Sequence, residues 1–179
     1  MMTKWLKTPA EHYRFLFFAL FFISTLTSCS LFPGEKKQEG IKVTLSASSD
    51  ANLNAHNRPS PLGIYIYELK TPDIFDNSDY YSIINNTNNE FSQQSSKLYQ
   101  GILMPGEKRN IEINPGKSSV ALGVVAAYRD INIADWNKTI MLPDVKHVPW
   151  WKLMHSEEQQ TLSIDFSKIS ISTIKWIKM

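Results

Sequence analysis

Val120-Ala-Leu-Gly-Val-Val-Ala-Ala-Tyr128 is apolar at nearly every position, so neither face of this segment is made for water. A strand buried on both sides sits at the centre of a covered sheet. Gly123 within it leaves room for a facing side chain or backbone to come close. Upstream, Leu62-Gly-Ile-Tyr-Ile-Tyr-Glu-Leu69 is β-branched and aromatic, bounded by Pro61 and by Thr71-Pro72, and reads as a second strand. Ile41-Lys-Val-Thr-Leu-Ser-Ala47 alternates apolar and polar residues, the period of a half-buried strand. Further strands are expected over residues 98–104, 109–114, 119–129, 139–142, 161–166 and 170–176. Turn signals separate them, among them Pro105-Gly106-Glu107, Asn114-Pro115-Gly116 and Leu142-Pro143-Asp144. About eight short strands, without alternating long helices, predict an all-β fold, an antiparallel β-sandwich.

One stretch departs from this rhythm. Asp73-Ile-Phe-Asp-Asn-Ser-Asp-Tyr-Tyr-Ser-Ile-Ile84 carries Ile74, Phe75, Ser78, Tyr81 and Ile84 near helical spacing, with Asp73 placed to cap it. It predicts one short added helix laid over an edge or face of the sandwich. Asn85-Asn-Thr-Asn-Asn-Glu90 then reads as a loop, and residues 91–97 as a helical turn or coil.

The N-terminus carries an address. Lys4, Lys7 and Arg14 precede the apolar run Phe15-Leu-Phe-Phe-Ala-Leu-Phe-Phe-Ile-Ser-Thr-Leu26. That run is too short for a hydrocarbon core, which takes roughly 20 helical residues, and the layout is that of an export signal. It ends in Leu26-Thr27-Ser28-Cys29, which resembles the lipobox of bacterial lipoproteins. An ordinary secretory signal or an uncleaved anchor would share the layout. The chain has one cysteine, however, and it falls at the position that lipid processing requires. Each buried acyl methylene adds about 0.8 kcal/mol, so several chains on Cys29 would hold a protein at a bilayer. Ser30, in place of the aspartate that tends to retain such lipoproteins at the inner membrane, favours by the same resemblance the periplasmic face of the outer membrane.

The expected organisation is a signal peptide over 1–28, a lipidated cysteine and flexible tether over 29–40, and a sandwich domain over 41–179. Lys+Arg of 19 against Asp+Glu of 17 gives a formal +2. Loss of residues 1–28 would remove Lys4, Lys7, Arg14 and Glu11 and leave a formally neutral body. That balance argues against a binder of nucleic acid built on bulk charge. A single cysteine excludes an internal disulfide framework and any multi-thiolate metal cage.

Little in the chain is arranged for chemistry. His56, His147 and His155 are scattered among loop signals, and neither His-Glu-x-x-His, Gly-x-Ser-x-Gly nor a Gly-rich phosphate loop is present. The expectation is a protein that is not an enzyme and needs no cofactor or metal. What stands out is Asp50-Ala-Asn-Leu-Asn-Ala-His-Asn-Arg-Pro-Ser-Pro61, far longer than the two to five residues of a hairpin. It is rich in hydrogen-bonding side chains and stiffened by Pro59 and Pro61. A binding loop and a decorative surface loop both fit that description. In His147-Val-Pro-Trp-Trp151 the paired indoles read as a cap on the core in preference to an interface anchor.

Several segments together resemble one family. They are the lipobox at Cys29, Asn54-Ala-His-Asn-Arg-Pro-Ser-Pro61 leading into Ile64-Tyr-Ile-Tyr-Glu-Leu69, Phe75 with Ser78-Asp-Tyr-Tyr81, Met104-Pro-Gly-Glu107, Gly123-Val-Val-Ala-Ala-Tyr-Arg-Asp130, and Trp136. In this order they resemble the TssJ family, the lipoproteins of the bacterial type VI secretion membrane complex. The resemblance implies a transthyretin-like sandwich of two four-stranded sheets. It also implies an outer-membrane anchor that binds the periplasmic C-terminal region of the inner-membrane protein TssM. In the family the loop between the first two strands takes part in that contact. Here it maps onto residues 50–61, with Asn54, His56, Asn57, Arg58, Pro59 and Ser60 as the expected partner-binding residues. The segments Asn85-Asn-Thr-Asn-Asn-Glu90 and Trp150-Trp151 match no family pattern. A generic periplasmic or surface lipoprotein with an immunoglobulin-like binding sandwich is the alternative. A transthyretin-like hydrolase fares poorly, because the chain ends Ile174-Lys-Trp-Ile-Lys-Met179 without the Tyr-Arg-Gly-Ser-like tail of that family.

Overall fold

Two faces of one strand pair organise the molecule. The structure, a computed structural model, describes residues 40–143 and 160–178. In chain order its elements are β1 (Ile41–Ala47), β2 (Leu62–Leu69), α1 (Pro72–Asp76), α2 (Tyr80–Ile84), α3 (Asn89–Gln94), β3 (Ser95–Leu103), β4 (Lys108–Ile113), β5 (Ala121–Ala127), β6 (Asn137–Met141), β7 (Gln160–Phe166) and β8 (Ile171–Lys178). They form two four-stranded sheets, ordered β4-β1-β7-β8 and β3-β2-β5-β6. The all-β sandwich expected from the strand pattern is therefore the fold.

Alternation along the strands builds the main core. Val43 and Leu45 of β1, with Leu162, Ile164 and Phe166 of β7, face Leu62, Ile64 and Ile66 of β2 and Leu122, Val124 and Ala126 of β5. Burying the valine, leucine, isoleucine and phenylalanine side chains among them contributes roughly 1.5–3 kcal/mol each. Six of the seven β5 residues are buried, as the doubly apolar run predicted for a central strand.

One pairing corrects the purely antiparallel expectation. β1 and β7 run parallel, with Lys42 opposite Thr161 and Ala47 opposite Phe166. A parallel pair cannot be closed by a hairpin and needs a long crossover. The chain supplies one by completing the other sheet between β1 and β7. Local alternation carries no record of that.

The reverse face of β2 and β5 has its own core. Tyr67, Leu69, Ala121 and Val125 are covered by Phe75, Ile83 and Phe91, one from each helix. The cover thus has three short helices where one was expected, and the cause lies in Asn77-Ser78-Asp79. Asn77 Nδ2 donates to Asp73 O at 2.7 Å and Ser78 Oγ to Ile74 O at 2.6 Å, taking up carbonyls of α1. Asp79 then accepts the Ser82 N–H at 3.0 Å and caps α2. Short polar side chains that bond the local backbone end helices in this way. Asp73, the expected cap of α1, lies instead inside its first turn, after Thr71 and Pro72. In the expected loop Asn88 caps α3 through Oδ1, 3.0 Å from Glu90 N and 3.1 Å from Phe91 N. Of residues 91–97, the first four close α3 and the last three already belong to β3.

Register fixes which connections share an end. Leu62 faces Leu103 and Gly63 faces Ala127, while Ser46 faces Lys108 and Ala47 faces Phe166. The β1–β2, β3–β4, β5–β6 and β7–β8 connections therefore gather at one end of the sandwich. Ile41, where the chain enters β1, faces Ile113 at the opposite end. The expectations for the signal peptide, Cys29, most of the tether, His147, Trp150, Trp151 and His155 fall outside the described residues.

Candidate functional site

The β1–β2 connection is held by its own polar side chains. Its base begins at Ser48, whose N–H donates to Phe166 O at 2.8 Å and whose carbonyl accepts Ala51 N and Gly106 N, both at 3.1 Å. Asn52 comes next, 3% exposed and in the left-handed region at φ 55°. Asparagine is among the few side chains that adopt this conformation readily. Its Nδ2 donates to Pro61 O at 2.6 Å, and its Oδ1 accepts Arg129 N at 2.8 Å. Its backbone N–H donates to Lys168 O at 3.1 Å. One buried residue thus ties the β1–β2 loop to its own exit, to the β5–β6 loop and to the β7–β8 turn.

Asn54 shapes the tip. Its Oδ1 accepts His56 N at 2.9 Å and Arg58 N at 3.0 Å, an Asx turn that replaces the missing strand partner. Asn54 N also donates to Arg58 O, and Asn57 N to Asn54 O, each at 2.9 Å. Asn57 sits at φ 56°, the second left-handed asparagine of the loop. Pro59 follows with its fixed φ.

Of the expected partner-binding residues, His56, Asn57, Arg58 and Pro59 are exposed together on the tip. Asn54 is half-buried with its oxygen committed to the loop backbone. Ser60 is 5% exposed, and its N–H donates to Ala51 O at 3.2 Å. Asn54 and Ser60 therefore build the loop, and the surface they support is residues 55–59.

Neighbouring loops are fastened to the same end. Tyr128, 5% exposed, donates its hydroxyl to Ser170 O at 2.7 Å, and burial pushes that hydroxyl well above the usual tyrosine range. Asp135 N donates to Ile169 O at 2.9 Å and Ile171 N to Asp135 O at 3.2 Å, a parallel bridge outside the strands. In the β3–β4 turn the Glu107 carboxylate accepts the Met104 N–H at 2.8 Å and Arg109 Nε at 2.9 Å, which holds it below the usual carboxylate range. Asn52 and Tyr128 carry no sequence signal beyond a polar residue in a loop and a polar tip on an apolar run. Their partners are far along the chain.

The arrangement displays donors and a proline on a rigid base. Among the described residues no group of three His, Cys, Asp or Glu is placed to hold a metal ion. His56 is on the loop tip, and its backbone N–H closes the Asx turn.

Comparison with known proteins places the chain. A family profile described as type VI secretion lipoprotein (VasD, EvfM, TssJ) matches residues 39–167. The T6SS lipoprotein TssJ1 from Pseudomonas aeruginosa is similar at TM-score 0.63 and 25% identity, over 79% of this chain and 97% of that one. Serratia marcescens Lip, a membrane bound component of the Type VI Secretion System, has TM-score 0.65 and 18% identity, over 80% of this chain and 100% of that one. A chain in the solved structure of the TssM C-terminal domain from EAEC shares the fold at TM-score 0.54 and 17% identity, over 79% of this chain and 99% of that one. No curated protein sequence matches this one. With a family profile running from the start of β1 to the end of β7, on a sandwich of the same architecture, the chain belongs to the TssJ family of type VI secretion lipoproteins.

Proposed function

We propose that this protein anchors the type VI secretion membrane complex to the outer membrane by binding the periplasmic C-terminal region of a TssM-like inner-membrane protein. In this reading residues 1–28 are the signal peptide, Cys29 carries the lipid at the periplasmic face, and residues 30–40 are slack between bilayer and sandwich. The tip residues His56, Asn57, Arg58 and Pro59 are the contact. The work is mechanical, and no step of it requires a cofactor.

One observation carries the reading: the preset β1–β2 loop stands at the end of the sandwich opposite Ile41, where the chain arrives from its N-terminal side. Seven residues of β1 at about 3.3 Å each separate the two ends by roughly 20 Å. A lipid on the N-terminal side leaves the loop end of the sandwich free to face away from the bilayer. Because Asn52, Asn54 and Pro59 already fix the loop, association avoids much of the ordering cost of about 0.5–1.5 kcal/mol per immobilised side chain.

The test replaces Asn57 and Arg58 by glycine in the full chain and leaves Pro59, which holds the loop, in place. Affinity for the purified periplasmic region of the TssM-like protein is expected to fall about tenfold or more, while the melting temperature holds. Unchanged affinity would remove the loop from the contact.

A further inference from the structure

The loop tip occupies only part of its end of the sandwich. Beside it stand Ile133, 65% exposed in the β5–β6 loop, and Ile169, 41% exposed in the β7–β8 turn. The two segments touch through the Asp135 N–H, which donates to Ile169 O at 2.9 Å. Both are joined to the base of the β1–β2 loop. Lys168 O, one residue before Ile169, accepts the Asn52 N–H, and Arg129 N donates to the Asn52 side chain. Three connections therefore form one hydrogen-bonded platform, with two isoleucines on its open surface.

Charge does not explain this surface. Arg58, Arg129 and Lys168 are exposed here, and so are Asp50, Asp130 and Asp135. Asp135 already pairs with Lys138 at 3.3 Å. Lys138 adds a fourth cation to the three carboxylates, so the platform carries a net charge of only about one and offers a weak field to steer a charged partner. Two exposed isoleucines within a nearly neutral polar surround instead match the layout of an interface centre with its rim.

Resting on the function proposed above, we infer that the partner surface runs from the β1–β2 tip across the β5–β6 loop and the β7–β8 turn. Ile133 and Ile169 are its apolar anchors, and the occupant is the same periplasmic protein region, bringing apolar side chains onto the isoleucines and hydrogen-bond acceptors onto the tip. The continuous hydrogen bonding from Asn52 to Lys168 and Arg129 makes tip and platform move as one body. A partner that grips the tip is thereby set against Ile133 and Ile169.

The experiment measures binding of the full acylated chain, in detergent, to the purified periplasmic region of the TssM-like protein. Ile133→Asp and Ile169→Asp are each expected to weaken binding about tenfold, with the melting temperature unchanged. Ile133→Ser, which adds no charge, is expected to weaken it in the same direction by a smaller factor. Wild-type affinity is expected to vary little between 50 mM and 500 mM salt, as an apolar contact should. Wild-type affinity in all three isoleucine variants, alongside a weakened Arg58→Gly, would overturn this inference and leave the proposed function standing. Steep loss with salt would overturn the apolar anchor. Failure of the wild-type chain to bind that region would overturn both.

Discussion

Asn52 and Arg129 are 77 positions apart in the chain, yet the side-chain oxygen of Asn52 accepts the Arg129 N–H at 2.8 Å. This contact joins the first loop of the sandwich to the connection after its central strand. It makes the candidate surface a property of the tertiary structure and not of one loop.

Asn52→Ala is expected to destabilise the chain by about 3 kcal/mol. The change orphans the Pro61 carbonyl and the Arg129 N–H, at roughly 1–3 kcal/mol each where buried, and places alanine in a left-handed conformation. Asn52→Gly relieves only the backbone part and is expected to cost about 1 kcal/mol less. Urea unfolding of both variants measures the difference. Equal stability of the two would show that the backbone conformation is not strained by a side chain.

Gly123→Ala is expected to cost about 1–3 kcal/mol through overpacking. A Cβ at this position would stand 2.8 Å from Cε2 and 2.9 Å from Cζ of Phe75, whose ring is fully buried. Phe75→Leu in the same background gives the new methyl room. A thermodynamic cycle should therefore show the double variant more stable than the sum of the single losses.

Tyr128→Phe removes the hydroxyl that donates to Ser170 O and is expected to cost about 1 kcal/mol. Hydrogen exchange should speed up locally at Ile171 N and Asp135 N, the amides of the neighbouring bridge. Exchange unchanged at those two amides would mean that the strands alone hold the turn.

Acid should weaken the fold partly through Glu68. Burial pushes this carboxyl up, but the Gly116 N–H at 2.6 Å, the hydroxyls of Ser119 at 2.7 Å and of Ser96, and the Lys70 charge outweigh it. The group therefore titrates below the usual glutamate range in the folded chain. A carboxyl depressed by folding contributes stability that is present above its unfolded value and lost as pH falls through the folded one. The gap in urea midpoint between wild type and Glu68→Gln should thus be widest near neutrality and narrow below about pH 4.5. A gap independent of pH would assign the difference to hydrogen-bond geometry alone.

Cys29→Ser is expected to leave a folded protein that no longer sediments with membranes. Envelope fractionation checks this, and a variant still recovered with the outer membrane would refute the lipid anchor.

Sequence legibility followed the range of the forces involved. Alternation in Ile41–Ala47, the doubly apolar run around Gly123 and the turn dipeptides are all signals written within a few residues, and the strands formed where they fell. The position of the long first loop was legible for the same reason, as were its stiffening prolines. Division of the role inside that loop was not. Asn54 and Ser60 look from sequence like His56 and Asn57, polar residues in a polar stretch, and only the fold turns the first two inward. The single expected helix failed because spacing at 73–84 is helical on average, whereas Asn77, Ser78 and Asp79 each satisfy the backbone side by side and end it.

The amino-acid order by itself determined the strands, the central position of β5, the length and stiffness of the β1–β2 loop and the family to which the chain belongs. The tertiary structure alone decided the parallel β1–β7 pair, the second core under Phe75, Ile83 and Phe91, and the gathering of loop, turn and Tyr128 around one buried asparagine. Periodicity is written within a few residues, while a hydrogen bond across 77 positions exists only after closure of two sheets has brought its donor and acceptor together.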